Sequence, residues 1–283
     1  MTGTVYIVGT PIGNLQDMSP RAVETLRTVD FIAAEDTRVT LRLLNHFGIK
    51  KPLVSCYEHN IRERSLMVID RVLNGESCAV VTDAGMPCIS DPGEVLVEEC
   101  HRRQVPLRAV PGPSAAETAL AVSGLPTSRF SFEGFLSVSK KARREHLEEI
   151  RDVRHTMIFY EAPHKLKNTL RDLYDTLGNR RISVVRELTK IYEQVLLCDL
   201  QQAIAYFEAT PPKGEFVLVV EGCPKTKEPS LTLEQAAELA QSLCAEGKSP
   251  SAAAREAAAQ TGFSKSAVYR ALLERSQQDV EQG

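Results

Sequence analysis

Short apolar runs alternate along the first 110 residues with longer stretches whose apolar positions recur every three or four. The short runs predict buried strands over 4–10, 31–34, 53–56, 78–81 and 107–110. Ser19 before Pro20 reads as an N-cap with proline at the first helical position, opening a helix over 20–29. Further helices are expected on the stretch carrying Leu41, Leu43, Leu44 and Phe47, which stops at Gly48, and over 62–73 and 94–103. Strands alternating with helices imply βαβ units and a mainly parallel sheet. Pro111-Gly112-Pro113 breaks this pattern, so a first α/β domain is assigned to 1–112. Strands over 130–135, 156–160, 182–185 and 216–220, with helices over 114–122, 145–152 and 164–177, make a second, mixed α/β domain over 113–223. No element is assigned between 186 and 215. Residues 224–230, PKTKEPS, are linker-like. Helices over 233–245, 251–260 and 264–275 form a small C-terminal helical domain, 231–283.

A chain of 283 residues, 43% hydrophobic and 25% charged, has the composition of a soluble globular protein with two domains and an appendage. Seven cysteines without any CxxC pair read as small buried hydrophobes in a reducing compartment, and no pair of Cys or His has metal-ligand spacing. The N-terminus lacks the basic segment of a signal peptide and no run reaches transmembrane length, which points to the cytoplasm and away from membranes. A net charge of −3 argues against a strongly electrostatic nucleic-acid coat but allows a local basic patch.

The usual nucleotide signatures are missing: there is no Walker loop, no GxGxxG after the first strand and no GxSxG elbow. Glycine- and proline-rich loops follow the strands instead: TPIGN at 10–14, TDAGMPCISDPG at 82–93, PGPSA at 111–115 and EAPHK at 161–165, with KGE at 213–215 before the last strand. Converging on one crevice, they would offer many backbone polar groups and few cations. That suits a nucleoside-like ligand, or one with a cationic centre, better than a polyphosphate. The basic run KKARR, 140–144, is placed just before the helix over 145–152, where cations oppose the helix dipole. RNA phosphates would stabilise it there; a solvated loop beside Glu148 and Glu149 is the equal alternative. The last two helices read as a helix-turn-helix carrying Lys265, Arg270 and Arg275, or as a plain helical cap.

Over almost its full length the chain resembles the tetrapyrrole-methylase-like superfamily of S-adenosylmethionine methyltransferases, and within it the bacterial small-subunit (16S) ribosomal RNA (cytidine-2′-O)-methyltransferase family. The motifs carrying the resemblance are GTPIGNLQD (9–17), AEDTR (34–38), EHN (58–60), TDAGMPCISDPG, VPGPSA (110–115), FYEAPH (159–164), REL-K (186–190) and GEFVLV (214–219). The family commonly has Gly where this chain has Cys88 and His where it has Tyr57; a cysteine at 88 implies a backbone angle open to other residues. The resemblance implies two α/β domains with S-adenosylmethionine in the cleft between them, no metal, a homodimer, and an assembled small ribosomal subunit as substrate. Cofactor contacts are expected from Pro11, Gly13, Thr82, Asp83, Ala84, Gly85, Ser114, Tyr160 and Gly214. Asp83 can face the sulfonium and amino acid moiety, or be an Asx-turn residue; Tyr160 can pack on adenosine. The donor is already activated, so positioning supplies much of the rate, but a ribose hydroxyl needs a base or an alkoxide-stabilising charge. Candidates are Glu35, Asp36, Arg38, Glu58 and His59; a strand-end ion pair, and for His59 a hydrogen-bonded loop position, explain them equally. The expected activity is 2′-O-methylation of a cytidine in small-subunit ribosomal RNA. Its rivals are methylation of a tetrapyrrole precursor and a non-enzymatic nucleic-acid-binding regulator.

Overall fold

The computed structural model describes residues 2–57, 59–91, 93–224 and 232–281, with side chains through residue 275. The chain divides into two units, Met1–Cys223 and Pro224–Gly283. The first unit opens with five strands: β1 (Val5–Val8), β2 (Phe31–Ala34), β3 (Leu53–Ser55), β4 (Cys78–Val81) and β5 (Leu107–Val110). They pair in the order β3-β2-β4-β1-β5, all parallel. α1 (Pro20–Thr28) and α2 (Thr37–His46) cover one face; α3 (Ile61–Leu73) and α4 (Glu94–Arg102) cover the other. Central strands buried on both faces account for their uninterrupted apolar sequence, CAVV in β4. Local signals set the helix starts: Ser19 Oγ accepts the Ala22 N–H at 3.1 Å, and Asp36 Oδ1 accepts the Arg38 N–H at 2.8 Å.

The chain leaves β1 towards β2 and leaves β4 towards β5, in opposite directions from adjacent strands. The crevice beyond their carboxyl ends is therefore the topological switch point of the sheet, the place where open α/β folds bind ligands.

The second sheet is mixed, with β6 (Phe130–Phe135), β7 (Thr156–Glu161), β8 (Arg181–Arg186), β9 (Gln194–Asp199) and β10 (Phe216–Val220) in the order β6-β7-β10-β8-β9. Only β6 and β7 are parallel. α6 (Lys140–Glu149), α7 (Leu166–Leu177) and α8 (Leu200–Ala209) lie on one face over a core including Phe159, Leu170 and Leu218. α5 (Ala115–Val122) covers the other face, where Ile12 from the loop after β1 joins Val185, Leu188 and Val217 in a shared core. That insertion ties the two sheets into one unit.

Three expectations are corrected. β9 and α8 fill a stretch left unassigned; α8 is announced by an Asp199–Gln202 capping box. The basic run KKARR does not precede a helix but forms the first half of α6. Arg143 is stabilised there by Asp172 on α7 at 2.6 Å and by the carbonyls of Ser137 and Val138 at 3.0 and 3.3 Å. Cys88 has φ +69°, in the left-handed region, so its backbone has kept the glycine-favouring conformation rather than opened. Asp91 makes this possible: its carboxylate accepts the N–H groups of Cys88 and Gly93 at 2.8 Å, pinning the bend.

In the second unit, α9 (Leu233–Ala245), α10 (Pro250–Thr261) and α11 (Lys265–Glu281) pack through alanine-rich faces around Val268 and Leu272. Gly262, at φ +76°, turns the chain between α10 and α11. Of the linker-like stretch 224–230, residues 225–230 lie outside the described residues.

Candidate functional site

The loops after β1 and β4 meet at the switch point. Thr10 and Gly85 exchange both backbone hydrogen bonds, at 2.9 and 3.1 Å, and Thr10 Oγ1 donates to the Thr82 carbonyl at 3.2 Å. The loop after β5 crosses the first at van der Waals distance. A Cβ on Gly112 would stand 2.8 Å from the Cα and carbonyl carbon of Gly9, so only glycine fits either position. Across from them, the loop after β7 and the turn before β10 come from the second sheet.

Together they enclose a cavity of about 460 Å³. Thr82 to Met86 form one wall, Ser114 and Ala115 a second, and Tyr160 to Pro163 with Glu215 to Val217 a third. Five acidic residues line it (Glu35, Asp83, Asp91, Glu161 and Glu215), and no Lys, Arg or His does among the described residues; the Glu161 carboxylate is taken up by the Ala162 N–H and the Thr169 hydroxyl, and Glu215 pairs with Lys190 at 2.9 Å. Glu35 Oε2 accepts the Thr82 hydroxyl at 2.5 Å, and Asp83 accepts the Asp36 N–H at 3.2 Å. Burial and the neighbouring Glu35 push the Asp83 carboxyl above the usual range; burial does the same to Asp91. The negative charge of Glu35 beside Asp83 is the part of this shift that would also attract a cation. Burial also raises the Tyr160 phenol, whose ring lies edge-on to Phe132 and Phe135 at 4.9 and 5.5 Å.

Of the residues expected to touch a cofactor, Thr82, Asp83, Ala84, Gly85, Ser114 and Tyr160 line the cavity, while Pro11, Gly13 and Gly214 do not. Gly13 and Gly214 instead make room for the turn after β8. A Cβ on Gly13 would lie 2.6 Å from Lys190 Cγ, and one on Gly214 2.5 Å from the Glu187 carboxyl. Of the expected acid–base groups, Glu35 lines the cavity. Asp36 and Arg38 form a bidentate pair at 2.6 Å outside the lining, with the Arg38 hydrogen bonds holding the Asp36 carboxyl down at about 2. His59 is exposed, its ring edge-on to Tyr57 at 6.0 Å. Glu58 lies outside the described residues. Sequence reasoning missed Asp91, Glu161 and Glu215 as cavity groups, although each sits in a loop it had singled out.

The profile of the family described as Tetrapyrrole (Corrin/Porphyrin) Methylases matches residues 4–204. The chain belongs to the tetrapyrrole methylase family. It is 46% identical to the "Ribosomal RNA small subunit methyltransferase I" of Synechocystis over 96% of this chain and 98% of that one. A protein of the same name from Halalkalibacterium halodurans is 50% identical over 80% of this chain and 78% of its own length. Among solved structures, diphthine synthase superposes with a TM-score of 0.63 at 16% identity, covering 78% of this chain and 90% of that one, which speaks for the fold alone.

Tetrapyrrole methylases take their methyl group from S-adenosylmethionine, and this chain is a methyltransferase with that cofactor. The residues present fit it. Among the described residues the cavity lining carries acids and no cation, which suits a sulfonium. Gly85, at φ +86°, lets backbone stand at its wall; a Cβ there would point at Ile12 and the Pro113 carbonyl, 3.4 and 3.6 Å away. Among the described residues no group of His, Cys, Asp and Glu could hold a metal ion, and no helix is long and apolar enough to cross a membrane.

Proposed function

We propose that the chain 2′-O-methylates the ribose of a cytidine in small-subunit (16S) ribosomal RNA, acting as a cytoplasmic homodimer on the assembled subunit. The observation that carries this reading is the cation-free, carboxylate-lined cavity at the switch point, in a chain whose relatives along nearly its whole length are named for small-subunit ribosomal RNA methylation. Bound S-adenosylmethionine supplies a methyl group activated by a positive sulfur. The backbone of Thr82 to Gly85 and the Ser114 side chain would hold it, Asp83 would face its positive charge, and Tyr160 would pack on the adenosine. With both reactants held in one cleft, orientation supplies much of the rate.

The proton of the ribose hydroxyl is assigned to Glu35. Among the described acid–base candidates it alone lines the cavity, and its hydrogen bonds from Thr82 Oγ1 and the Asp83 N–H, the latter at 3.4 Å, fix its orientation. Asp36 is a weak base because Arg38 holds it ionised. Its place at the start of α2, with its N–H on Asp83, makes it a positioning group. Asp36→Ala and His59→Ala should lower turnover while leaving cofactor affinity within a few-fold. Collapse of cofactor binding would place them in the cofactor site or the fold.

The deciding experiment incubates labelled S-adenosylmethionine with small subunits lacking the modification, followed by nuclease mapping. Label in 2′-O-methylcytidine is the expected result; absence of transfer to any RNA refutes the proposal. A parallel incubation in which a tetrapyrrole precursor takes up the label instead would support the activity for which the family is named. In the second unit, Lys265 and Arg270 are exposed on α11, whereas Arg275 pairs with Glu238 at 3.1 Å. Deleting the chain from Glu228, itself outside the described residues, should weaken subunit binding and spare the cofactor.

A further inference from the structure

Two backbone irregularities, on different sheets, each turn an apolar side chain to the mouth of the cavity. On the loop after β4, Ile89 lies between Cys88 at φ +69° and Ser90 at φ +58°. Two consecutive-but-one non-glycine residues in the left-handed region are costly, and such strain persists where surrounding structure enforces it, commonly at binding sites. On β6, a bulge at Glu133 shifts the register with β7: Phe132 pairs with Ile158, but Phe135 pairs with Tyr160. Without the extra residue, Phe132 and Phe135 would point to opposite faces of the sheet; with it they share the face of Tyr160. The Glu133 carboxylate is held on the other side by His146 at 3.0 Å. The two irregularities also meet, since a Cβ on Gly134 would stand 3.3 Å from Ser90 Oγ. Ile89 and Phe135 both line the cavity and both remain 55% exposed.

We infer that Ile89 and Phe135 form a stacking site for one unstacked nucleobase of the substrate, an inference that rests on the RNA reading above. The occupant follows from the electrostatics. Glu35 and Asp83 place acid groups at the wall and no Lys, Arg or His lines it among the described residues, which disfavours phosphate and favours the uncharged parts of a nucleotide, ribose and base. A base drawn out of its stack loses several kcal/mol unless a flat apolar partner receives it. Aromatic side chains are the usual receivers in single-stranded RNA recognition. Phe135 presents an exposed ring, with the Tyr160 ring 5.5 Å from it, and Ile89 adds a second exposed apolar side chain to the lining.

The test uses the full-length protein with Phe135→Ala, Phe135→Leu and Phe135→Trp. It measures KM for unmodified small subunits, subunit retention on filters in the presence of S-adenosylhomocysteine, and S-adenosylmethionine affinity by calorimetry. Loss of a stacked base is expected to raise KM and weaken retention roughly ten- to hundredfold in the Ala and Leu variants. The Trp variant should restore both, and cofactor affinity should stay within about threefold throughout. If Leu performs as well as Phe or Trp, the site is not a stacking site. If cofactor affinity falls in step with KM, Phe135 belongs to the cofactor wall; either outcome overturns the assignment. If the wild-type protein binds cofactor yet methylates no RNA, the RNA reading fails and this inference falls with it.

Discussion

Lys190 stands behind the cavity, and replacing it with methionine tests how that wall is held. Its ammonium donates to Glu187 Oε1 at 3.0 Å and Glu215 Oε2 at 2.9 Å. Glu187 also accepts the Glu215 N–H at 2.9 Å, and its own N–H donates to the Glu215 carbonyl at 3.0 Å. Hydrogen bonds from the Glu215 backbone and then from Lys190 hold the Glu187 carboxyl below its ordinary range. The turn between them runs through two strained residues, Glu187 at φ +51° and Thr189 at φ +65°. Glu215 is 80% exposed, so its pair contributes under about 1 kcal/mol. Glu187 is 19% exposed, so its charge-assisted bond contributes about 1.5 kcal/mol, the lower end of the range because the carboxylate keeps its backbone donor. Lys190→Met, which retains most of the stem packed against Gly13, should therefore cost about 2 kcal/mol. In a unit of this size that lowers Tm by roughly 4–8 °C. Glu215 and Leu188 line the cavity, so affinity for S-adenosylmethionine and for S-adenosylhomocysteine, which lacks the sulfonium charge, should fall together. Thermal unfolding of Glu187→Gln, Lys190→Met and the double variant gives the coupling, expected near 1.5 kcal/mol. A coupling below about 0.5 kcal/mol, or loss of affinity for the charged ligand alone, refutes the reasoning.

Asp83→Asn should weaken S-adenosylmethionine roughly five- to tenfold, and S-adenosylhomocysteine less, because a charge difference near 1.4 kcal/mol is tenfold. Since the folded pKa of Asp83 is raised, its contribution to stability is complete below the unfolded value and is lost as pH rises through the folded one. The variant should therefore gain stability at neutral pH, and the wild type should lose cofactor affinity as acidification protonates Asp83; pH-resolved calorimetry and unfolding check both. Gly112→Ala places a methyl group 2.8 Å from the backbone of Gly9, where no flexible side chain can yield. It should cost about 3 kcal/mol or more and abolish cofactor binding, as a melting curve with and without ligand would show.

Much of this protein is written locally. Central parallel strands announce themselves as unbroken apolar runs, Ser19-Pro20 starts a helix by its own chemistry, and glycine- and proline-rich loops after strands mark where the chain must bend. These signals need no partner, so β2, β4, β5, β6 and β10 appear at the residues the pattern predicts. The resemblance to a family then indicated which loops hold a ligand. β9 escaped because VLLC hides its alternation: Leu196 and Cys198 face the core, while Val195 and Leu197 stay exposed at the sheet edge. The adjacent residues Glu35 and Asp36 cannot be told apart in sequence, yet one lines the cavity and the other turns to Arg38. Cys88 holds a left-handed bend because Asp91, three residues on, grips its N–H. Phe135 reaches the cavity only because a bulge inverts its face. Sequence by itself determined the elements and the loops between them, since periodicity and turn chemistry act over a few residues. Tertiary structure alone decided which side chains share the cavity, because orientation depends on register, strain and contacts between residues far apart in the chain.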